Sequence, residues 1–424
     1  MNQTYQYAGL QNAKHQGLSV DQCAARLHRF AYAAERLMFL QAAHIISTPE
    51  RDVKVLLARL QYENSQHASQ FKARLPELRI SKTKAYQAPD ASLQIVFDEA
   101  MYAANTVELL AGLTKVFKPA LLDAYQRYVN ETNGLADYPT ARILKTVIAE
   151  VEEGLCLLEA AYDDVVDTPQ KEAAAKAWSK TLHNLLAAAG GIDGAGEAGL
   201  DALRPIRAIT PYLIPKQLTR DDTFPRVWDI IHVDNERVEE RLMQMIATRL
   251  GETTIAEALG FVLYEMKGQP WEFYADISRH LWDEMRHSVF GEAAAEDIFD
   301  ERSAMPIRDW ESAYLFKMDP LELYAMLFGV EAGLMKYPPG KREEFEFCRD
   351  TARHPLMTTL QDFDWADEVL HVHIARRQLK EWFDGSPEEL QALGQKGLDF
   401  RARARAMHPQ SPLPDASGKL RDPK

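Results

Sequence analysis

Two short stretches of the chain repeat one arrangement of a carboxylate and an imidazole. Glu284 precedes His287 by three residues, and Glu368 precedes His371 by the same spacing. On an α-helix, positions i and i+3 lie about 60° apart, so both side chains of each pair project from one face. Two such helices, with one glutamate from each of two further helices, can hold a pair of metal ions inside a four-helix bundle.

Length and composition favour a globular protein with a large core. The chain has 424 residues, of which 46 % are apolar, and a net charge of −14. The negative charge argues against nucleic acid as the main partner, and no apolar run is long enough to predict a membrane span. The polar N-terminus lacks a signal-peptide pattern, and three scattered cysteines offer neither a disulfide framework nor a Cys-x-x-Cys metal site. These features favour a cytoplasmic location.

Nearly every long segment shows the 3.6-residue period of an amphipathic helix, which predicts an all-α fold. Glycines and prolines crowd residues 190–225 and predict a linker. We therefore expect one domain over residues 1–189, a second over 226–407, and a disordered Pro-rich tail over 408–424.

Four ordered matches relate the two halves at nearly constant separation. They pair Glu35 with Glu240, His67 with His287, Pro139 with Pro355, and Thr168 with Ser386. A tandem duplication explains these matches. It predicts two tandem four-helix bundles that form an intramolecular pseudo-dimer.

This register supplies two further glutamates in the second half. Glu240 falls in the middle of a helix predicted from about Pro225 to Leu250, which a separate helix from about Thr253 to Lys267 follows. Glu331 falls in an apolar run on a later helix. A carboxylate on a core face is costly unless it is paired or bound to a metal. Glutamate ligands with one imidazole per metal suit iron or manganese better than zinc.

The first half keeps fewer of these residues. Asn64 stands at the position of Glu284 and Leu155 at that of His371, whereas Glu35, His67 and Glu152 remain. The loss predicts a structural copy without a di-metal centre. A single metal ion on the three remaining residues is the alternative.

The stretch Asp283-Glu284-Met285-Arg286-His287 resembles the Asp/Glu-Glu-x-Arg-His motif of the ferritin-like di-iron carboxylate superfamily, as in bacterial multicomponent monooxygenases and acyl carrier protein desaturases. The resemblance implies ferritin-like bundles and two iron ions, or one iron and one manganese. The implied ligands are Glu240, Glu284, His287, Glu331, Glu368 and His371. Asp283 and Asp367 would orient the ligand histidines from the opposite helix, and Arg286 would pair with an aspartate. Leu370 stands where the second copy of the motif would have its arginine.

Four more residues lie on or near the faces of these ligands. His280 and Asp364 each precede a ligand glutamate by four residues, and could relay protons, act as an extra ligand or pack at the mouth of a cavity. Tyr324 and Trp365 could pass electrons or fill the core.

The resemblance implies a non-haem di-iron oxidase or oxygenase that uses O₂ to hydroxylate, desaturate or N-oxygenate a small organic substrate. The chain has no rubredoxin-type cysteines and no flavin motif, so we expect an external electron donor. A ferroxidase or other iron-handling protein, and a metal-free structural or binding protein, are the alternatives. The duplication favours a monomer or homodimer over a ferritin cage, because a cage needs many equivalent small subunits.

Overall fold

The computed structural model describes residues 7–10, 12–199, 203–230, 237–315, 317–382 and 385–413. Its regular structure is almost entirely helical, which confirms the predicted all-α class. The chain splits into two compact units, Met1–Ile214 (unit 1) and Pro215–Lys424 (unit 2). Within the described ranges, every helix is too short or too polar to cross a membrane.

Unit 1 contains eight α-helices among its described residues. They are α1 (Val20–His44), α2 (Arg51–Arg74), α3 (Lys82–Ala85), α4 (Ala91–Ala100), α5 (Thr106–Gly112), α6 (Lys118–Glu131), α7 (Tyr138–Val165) and α8 (Pro169–Ala188). A 3₁₀ turn at Leu75–Leu78 follows α2, and a π-helical segment at Leu113–Phe117 joins α5 to α6. The helix starts follow local chemistry: Ser19 forms a capping box with Gln22, and the Thr168 side chain caps α8 directly before Pro169.

Unit 2 contains seven α-helices and two short strands among its described residues. They are β1 (Arg226–Val227), α9 (Val238–Glu265), α10 (Trp271–Phe299), β2 (Ile307–Arg308), α11 (Ser312–Leu315), α12 (Pro320–Leu334), α13 (Lys341–Glu346), α14 (Pro355–Trp382) and α15 (Pro387–Arg405). The strands are parallel, with Arg226 opposite Ile307. A π-helical segment, Phe347–Ala352, follows α13.

Four long helices of unit 2 surround one core. α9 packs on α10 and α12, and α14 packs on the same two helices from the other side. Ile246, Leu250 and Ile298 belong to the apolar part of this core. Gly291 allows α9 and α10 to approach closely, because a Cβ atom at this position would lie 2.9 Å from the Leu250 backbone nitrogen. The close approach brings the polar residues on the inner faces of these helices within reach of one another.

The predicted boundaries of α9 were wrong. The structure has one helix from Val238 to Glu265, whereas the sequence suggested a helix from about Pro225 to Leu250 and another after Thr253. Gly251 suggested a helix end, but it lies inside α9. A Cβ atom there would lie 3.1 Å from Arg308 Nη2, so this glycine makes room for a guanidinium group.

The described parts of the predicted linker, residues 190–199 and 203–225, form contacts within the unit to which each part belongs. The backbone N–H groups of Ile206, Arg207 and Ala208 donate to Glu99, and Arg207 Nη1 donates to Glu108 at 2.6 Å. Glu99 is buried, so its carboxylate requires such donors. Further along, Arg220 Nη2 donates to Thr254 of α9 at 2.9 Å.

The start of the predicted disordered tail is also packed. The backbone N–H of Ser411 donates to the carbonyl oxygen of Asp229 at 2.7 Å, and Gln410 donates to the Asp229 carboxylate at 2.7 Å. The buried Asp229 carboxylate explains this order, because it needs donors from outside its own segment. The remainder of the predicted tail, residues 414–424, lies outside the described residues.

Candidate metal centre

Four buried side chains from three helices of unit 2 form a first cluster, which we call group 1. Its members are His280, Glu284, Glu331 and His371, and one ligand atom from each lies within 4.8 Å of the others. His280 Nε2 lies 2.9 Å from Glu331 Oε1 and 3.3 Å from Glu284 Oε1. The rings of His280 and His371 stack with their centroids 3.9 Å apart. Since α10, α12 and α14 each contribute, the cluster exists only when these helices are packed together.

A second cluster, group 2, lies beside the first. Its members are Glu252, His287, Asp364 and Glu368, again with one ligand atom each within 4.8 Å. His287 Nδ1 lies 3.5 Å from Glu252 Oε2 and 3.4 Å from Asp364 Oδ1. The two groups touch, because Glu368 Oε2 is 3.9 Å from His371 Nδ1 of group 1. The sequence-predicted ligands Glu284, His287, Glu331, Glu368 and His371 are therefore brought together in adjacent groups.

The inward-facing atoms of both groups have no hydrogen-bond partner. Seven such buried atoms are Glu252 Oε2, His280 Nδ1, His280 Nε2, His287 Nδ1, Glu331 Oε2, Glu368 Oε2 and His371 Nδ1. Buried polar atoms nearly always have a partner, and each exception calls for an explanation. Here the exceptions converge in two places and comprise only carboxylate oxygens and imidazole nitrogens. A hard divalent cation at each group would satisfy them, so the residues fit a pair of iron or manganese ions.

The outer nitrogens of the two ligand histidines bind aspartates on opposite helices. His371 Nε2 lies 3.3 Å from Asp283 Oδ2, and His287 Nε2 lies 3.2 Å from Asp367 Oδ2. Because a carboxylate can only accept, each contact fixes the proton on Nε2 and leaves Nδ1 free to bind a metal ion. Arg286 donates to both aspartates, to Asp367 at 2.7 Å. These contacts are the ones that the sequence motif implies.

Arg279 supplies the charge that the sequence suggested was missing. Its Nε donates to Asp283 at 2.7 Å, and its Nη2 lies 3.5 Å from Asp367. Leu370, the position of the absent arginine, is 38 % exposed. Arg279, which lies one turn before Asp283 on α10, therefore supplies the second arginine, and the sequence motif did not indicate this residue.

Burial and neighbouring charges move the pKa values of the clustered groups in opposite directions. Burial raises the pKa of Glu331, and it raises that of Glu252 well above the usual range. Burial opposes ionisation of Glu284, but ionic contacts with His280 and His371, each at 3.3 Å, hold its pKa well below the usual range. Burial also opposes protonation of His371, yet contacts with Asp283 and Glu284 raise its pKa well above the usual range. Without metal, burial favours the protonated form of Glu252 and the charged neighbours favour that of His371, and metal binding would release these protons.

Two buried cations accompany group 2. Lys341 Nζ lies 2.8 Å from Glu368 Oε1 and 2.9 Å from Asp364 Oδ2, and its side chain is 1 % exposed. Arg249 pairs with Asp364 and lies 3.2 Å from Glu252 Oε1. Group 1 has no comparable cation among the described residues. The two groups therefore differ in charge, and group 2 holds its carboxylates together with ammonium and guanidinium groups.

Glu240, the ligand predicted for the first helix of unit 2, is not part of either group. Its Oε1 accepts from Arg237 Nη1 at 2.9 Å near the start of α9, and its side chain is 25 % exposed. Glu252 takes its place. Glu252 and Glu284 both lie sixteen residues from Gly268 in the turn between α9 and α10, so an antiparallel helix pair brings them level. The register between the repeats, which pairs Glu240 with Glu35, gave no indication of Glu252.

The two aromatic residues predicted near the site differ in position. Tyr324 is fully buried, and its ring centroid is 6.2 Å from that of His280. Burial raises the pKa of Tyr324 well above the usual range, so the phenol is neutral. Trp365 is half-buried and pairs with Phe345 at a centroid distance of 6.1 Å. Tyr324 therefore adjoins group 1, whereas Trp365 packs against α13.

The three residues predicted as remnants in unit 1 do not converge. Glu35 pairs with Lys72 at 2.7 Å, His67 lies 2.7 Å from the half-exposed Glu150, and Glu152 is exposed. The predicted alternative of a single metal ion on this trio therefore lacks a geometric basis. Within the described part of unit 1, no three His, Cys, Asp or Glu side chains bring ligand atoms within 4.8 Å of one another, as those of groups 1 and 2 do.

The polar centre of unit 1 contains amides and a lysine instead. Asn64 donates to Gln41 at 2.6 Å, and Lys118 Nζ donates to Asn64 Oδ1 at 3.4 Å. Lys118 is fully buried, and burial lowers its pKa to about 8. An ammonium group thus lies beside the residue that the register pairs with Glu284.

A cleft of about 140 Å³ opens beside the two groups. Glu252, Glu284, Glu331 and Glu368 line one part of it. The apolar side chains of Ile255, Leu327, Val330 and Leu334 line another part. An organic molecule could therefore reach the carboxylates along an apolar wall.

Comparisons of the chain with family models, curated proteins and solved structures found no match. The resemblance to the di-iron carboxylate superfamily therefore stays an expectation from the sequence motif.

Proposed function

We propose that unit 2 is a ferritin-like four-helix bundle that holds two iron ions, or one iron and one manganese. We further propose that the protein is an O₂-dependent oxidase or oxygenase of a small organic substrate. Unit 1 is proposed as a degenerate tandem copy of the same bundle. An external protein or small molecule would supply the electrons.

One observation gives the proposal its main support. Seven buried ligand atoms in groups 1 and 2 lack hydrogen-bond partners, and the opposite nitrogens of His287 and His371 are fixed by Asp367 and Asp283. A metal-free scaffold would gain nothing from leaving buried nitrogen and oxygen atoms unpaired, since each costs about 1–3 kcal/mol. Metal coordination at groups 1 and 2 would remove this cost for the atoms that bind the ions.

Bound iron would supply the redox chemistry of O₂ activation. The chain's own residues would bind, orient and shield the reacting partners. Glu368, which adjoins both groups, would help to hold the metal ions, and the cross-helix aspartates orient the imidazoles that would bind them. The apolar wall formed by Leu327, Val330 and their neighbours would exclude water from the substrate.

Metal analysis of two matched variants tests the metal site. Glu252→Gln keeps the side-chain shape but removes a ligand charge from group 2, whereas Glu240→Gln makes the same change at the partly exposed start of α9. We expect wild type and Glu240→Gln to retain two metal ions per chain after anaerobic loading with Fe(II). Glu252→Gln should lose most of the second ion. Equal metal content in the two variants would contradict the assignment, as would a wild-type protein that binds no metal.

Oxygen consumption tests the proposed activity separately. Fe(II)-loaded wild type should consume O₂ rapidly and return to the ferrous state when a chemical reductant is added. A ferroxidase is the second candidate, and it would instead accumulate ferric iron in excess of two ions per chain. The apolar wall of the cleft favours an organic substrate over iron, because an iron path needs polar ligands along its length.

A further inference from the structure

Arg308 is a buried arginine with an unsatisfied Nε–H, and it lines the same cleft as groups 1 and 2. The residue is 9 % exposed, and its Nε–H has no hydrogen-bond partner. In the described part of the chain, its ionic contact is with Asp229, at 4.0 Å from Nη1, which is too long for a hydrogen bond. Asp229 Oδ2 accepts from Arg405 at 2.6 Å and from Gln410 at 2.7 Å, and Asp229 Oδ1, the oxygen nearest to Arg308, has no hydrogen-bond partner either.

The backbone holds this guanidinium group firmly in the cleft. Arg308 lies in β2, where the backbone N–H groups of Ile307 and Asp309 donate to Pro225 and Val227 at 2.9 Å. The side chain then packs against α9 at Gly251, where any larger residue would meet Nη2. Gly251 directly precedes Glu252 of group 2. The donor edge of Arg308 is therefore positioned before any ligand arrives, which reduces the entropic cost of binding.

A buried guanidinium group with an unsatisfied N–H and only a long ionic contact is costly, and a planar anion with two acceptor oxygens would reduce that cost. The Nε–H and Nη2–H bonds of arginine form a fork that matches one carboxylate. Burial lowers the pKa of Arg308, although the nearby Glu311 and Asp229 oppose the shift, so additional negative charge would stabilise this cation. A carboxylate ligand would supply it.

The charges around the cleft favour a monoanion. Its lining includes three arginines, Arg249, Arg308 and Arg401, and six glutamates. Two divalent ions would neutralise the four glutamates of groups 1 and 2. Three arginines would then face Glu311 and Glu344, which leaves a net charge of +1. A dianion such as phosphate would be repelled by the buried Glu311, whereas a monoanion would balance the charge.

We propose that Arg308 anchors the carboxylate of the substrate, an organic monoanion whose apolar part lies along Ile255, Leu327, Val330 and Leu334. This inference rests on the proposed function and adds the substrate class. The cleft volume of about 140 Å³ is close to the roughly 150 Å³ of an apolar cavity that binds benzene. The apolar part of the substrate is therefore about the size of one aromatic ring.

Calorimetric titration of the full-length protein with benzoate and with benzyl alcohol tests this inference. The two probes have similar size, but only benzoate carries the charge. We expect wild type to bind benzoate and to bind benzyl alcohol about 10- to 100-fold more weakly, as the loss of a charged hydrogen-bonded pair implies. This comparison needs no variant, so it remains decisive if a substitution at position 308 prevents folding.

Three variants then identify the anchor. Arg308→Met should lose the preference for benzoate, and Arg308→Lys should keep part of it because the charge remains without the fork. Arg226→Met is the control, since Arg226 lies on the neighbouring strand with its side chain 47 % exposed. Equal affinity of wild type for the two probes, no benzoate binding at millimolar concentration, or unchanged benzoate affinity in Arg308→Met would each overturn the inference.

Titrations before and after chelator treatment separate this inference from the proposed function. If Arg308 binds benzoate, binding persists in metal-free protein, although weakened by the unneutralised glutamates. If the carboxylate binds only the metal ions, chelation abolishes binding and Arg308→Met does not, which overturns the inference and leaves the metal site intact. Failure of the metal analysis would refute the proposed function whatever the benzoate result.

Discussion

Replacement of Asp283 by asparagine should weaken metal binding at group 1 without unfolding unit 2. Asp283 is fully buried, and its carboxylate contacts His371 Nε2 at 3.3 Å and Arg279 Nε at 2.7 Å. Burial opposes its ionisation, but these partners and Arg286 together hold the pKa of Asp283 below the usual range. The group is therefore ionised at neutral pH, and the substitution removes a full negative charge.

The size of the effect follows from what asparagine keeps. Its amide oxygen can still accept from His371, so the imidazole orientation survives. The two arginines lose one counter-ion, but Arg279 is 36 % exposed and Arg286 still donates to Asp367 at 2.7 Å. Loss of such a partner to a ligand histidine costs about 10- to 100-fold in metal affinity, equivalent to roughly 1.4–2.7 kcal/mol. The affected ion is the one at group 1, because His371 belongs to that group.

Titration with Co(II), whose visible absorption reports coordination, would measure this change in wild type and variant. Asp276→Asn is the matched control. Asp276 lies two turns earlier on α10 and also pairs with an arginine, Arg377, but it contacts no ligand histidine in the described structure. Wild-type affinity for both ions in Asp283→Asn, or an equal loss in Asp276→Asn, would refute the assigned role of Asp283.

Three further predictions follow from the described contacts. Lys341→Met removes an ammonium group 2.8 Å from Glu368, so the second metal ion should bind at least about tenfold more tightly. The difference in Tm between metal-loaded and chelated protein should therefore increase, and an unchanged difference would contradict competition between Lys341 and the metal ion. His67→Gln in unit 1 should leave the metal content at the wild-type value by elemental analysis, and a lost ion would show that unit 1 binds metal after all. Burial lowers the pKa of His44 to about 4, below its unfolded value of about 6.5, so its stabilising contribution is present above pH 6.5 and is lost as the pH falls towards 4. Thermal unfolding followed by circular dichroism should therefore show a smaller acid-induced drop in Tm for His44→Gln than for wild type, and parallel pH profiles would exclude this role.

The sequence predicted the helices and the parts of the site that lie within one helix. The Glu-x-x-His spacing placed Glu284 with His287 and Glu368 with His371, because positions three apart share a helix face whatever the tertiary structure. Their convergence with Glu331 also follows from apolar periodicity, which orients each helix face towards the core.

Residues that reach the site across helices were harder to predict. Glu252 was missed because the repeat register selected Glu240 and because Glu252 lies in the predicted break between Leu250 and Thr253. In the structure α9 continues through this break, and Gly251 makes room there for Arg308. Lys341 was missed because its side chain reaches group 2 only through the packing of α13 on α14, which the sequence pattern does not show. The register between the repeats also misplaced Glu152, which is exposed on α7. A shift of one residue on a helix turns a side chain by about 100° and can move it from core to solvent.

Lys118 has a consequence for how unit 1 depends on its surroundings. Its ammonium group is a cation that is covalently part of the protein, and it lies beside Asn64 and near the buried amide of Gln41. Unlike a bound ion, it cannot be removed by a chelator, oxidised by one electron or replaced by the copper or zinc that outcompete iron at most nitrogen and oxygen sites. The core of unit 1 therefore needs no metal ion, whereas the proposed ions at groups 1 and 2 would make unit 2 sensitive both to metal starvation and to binding of the wrong metal.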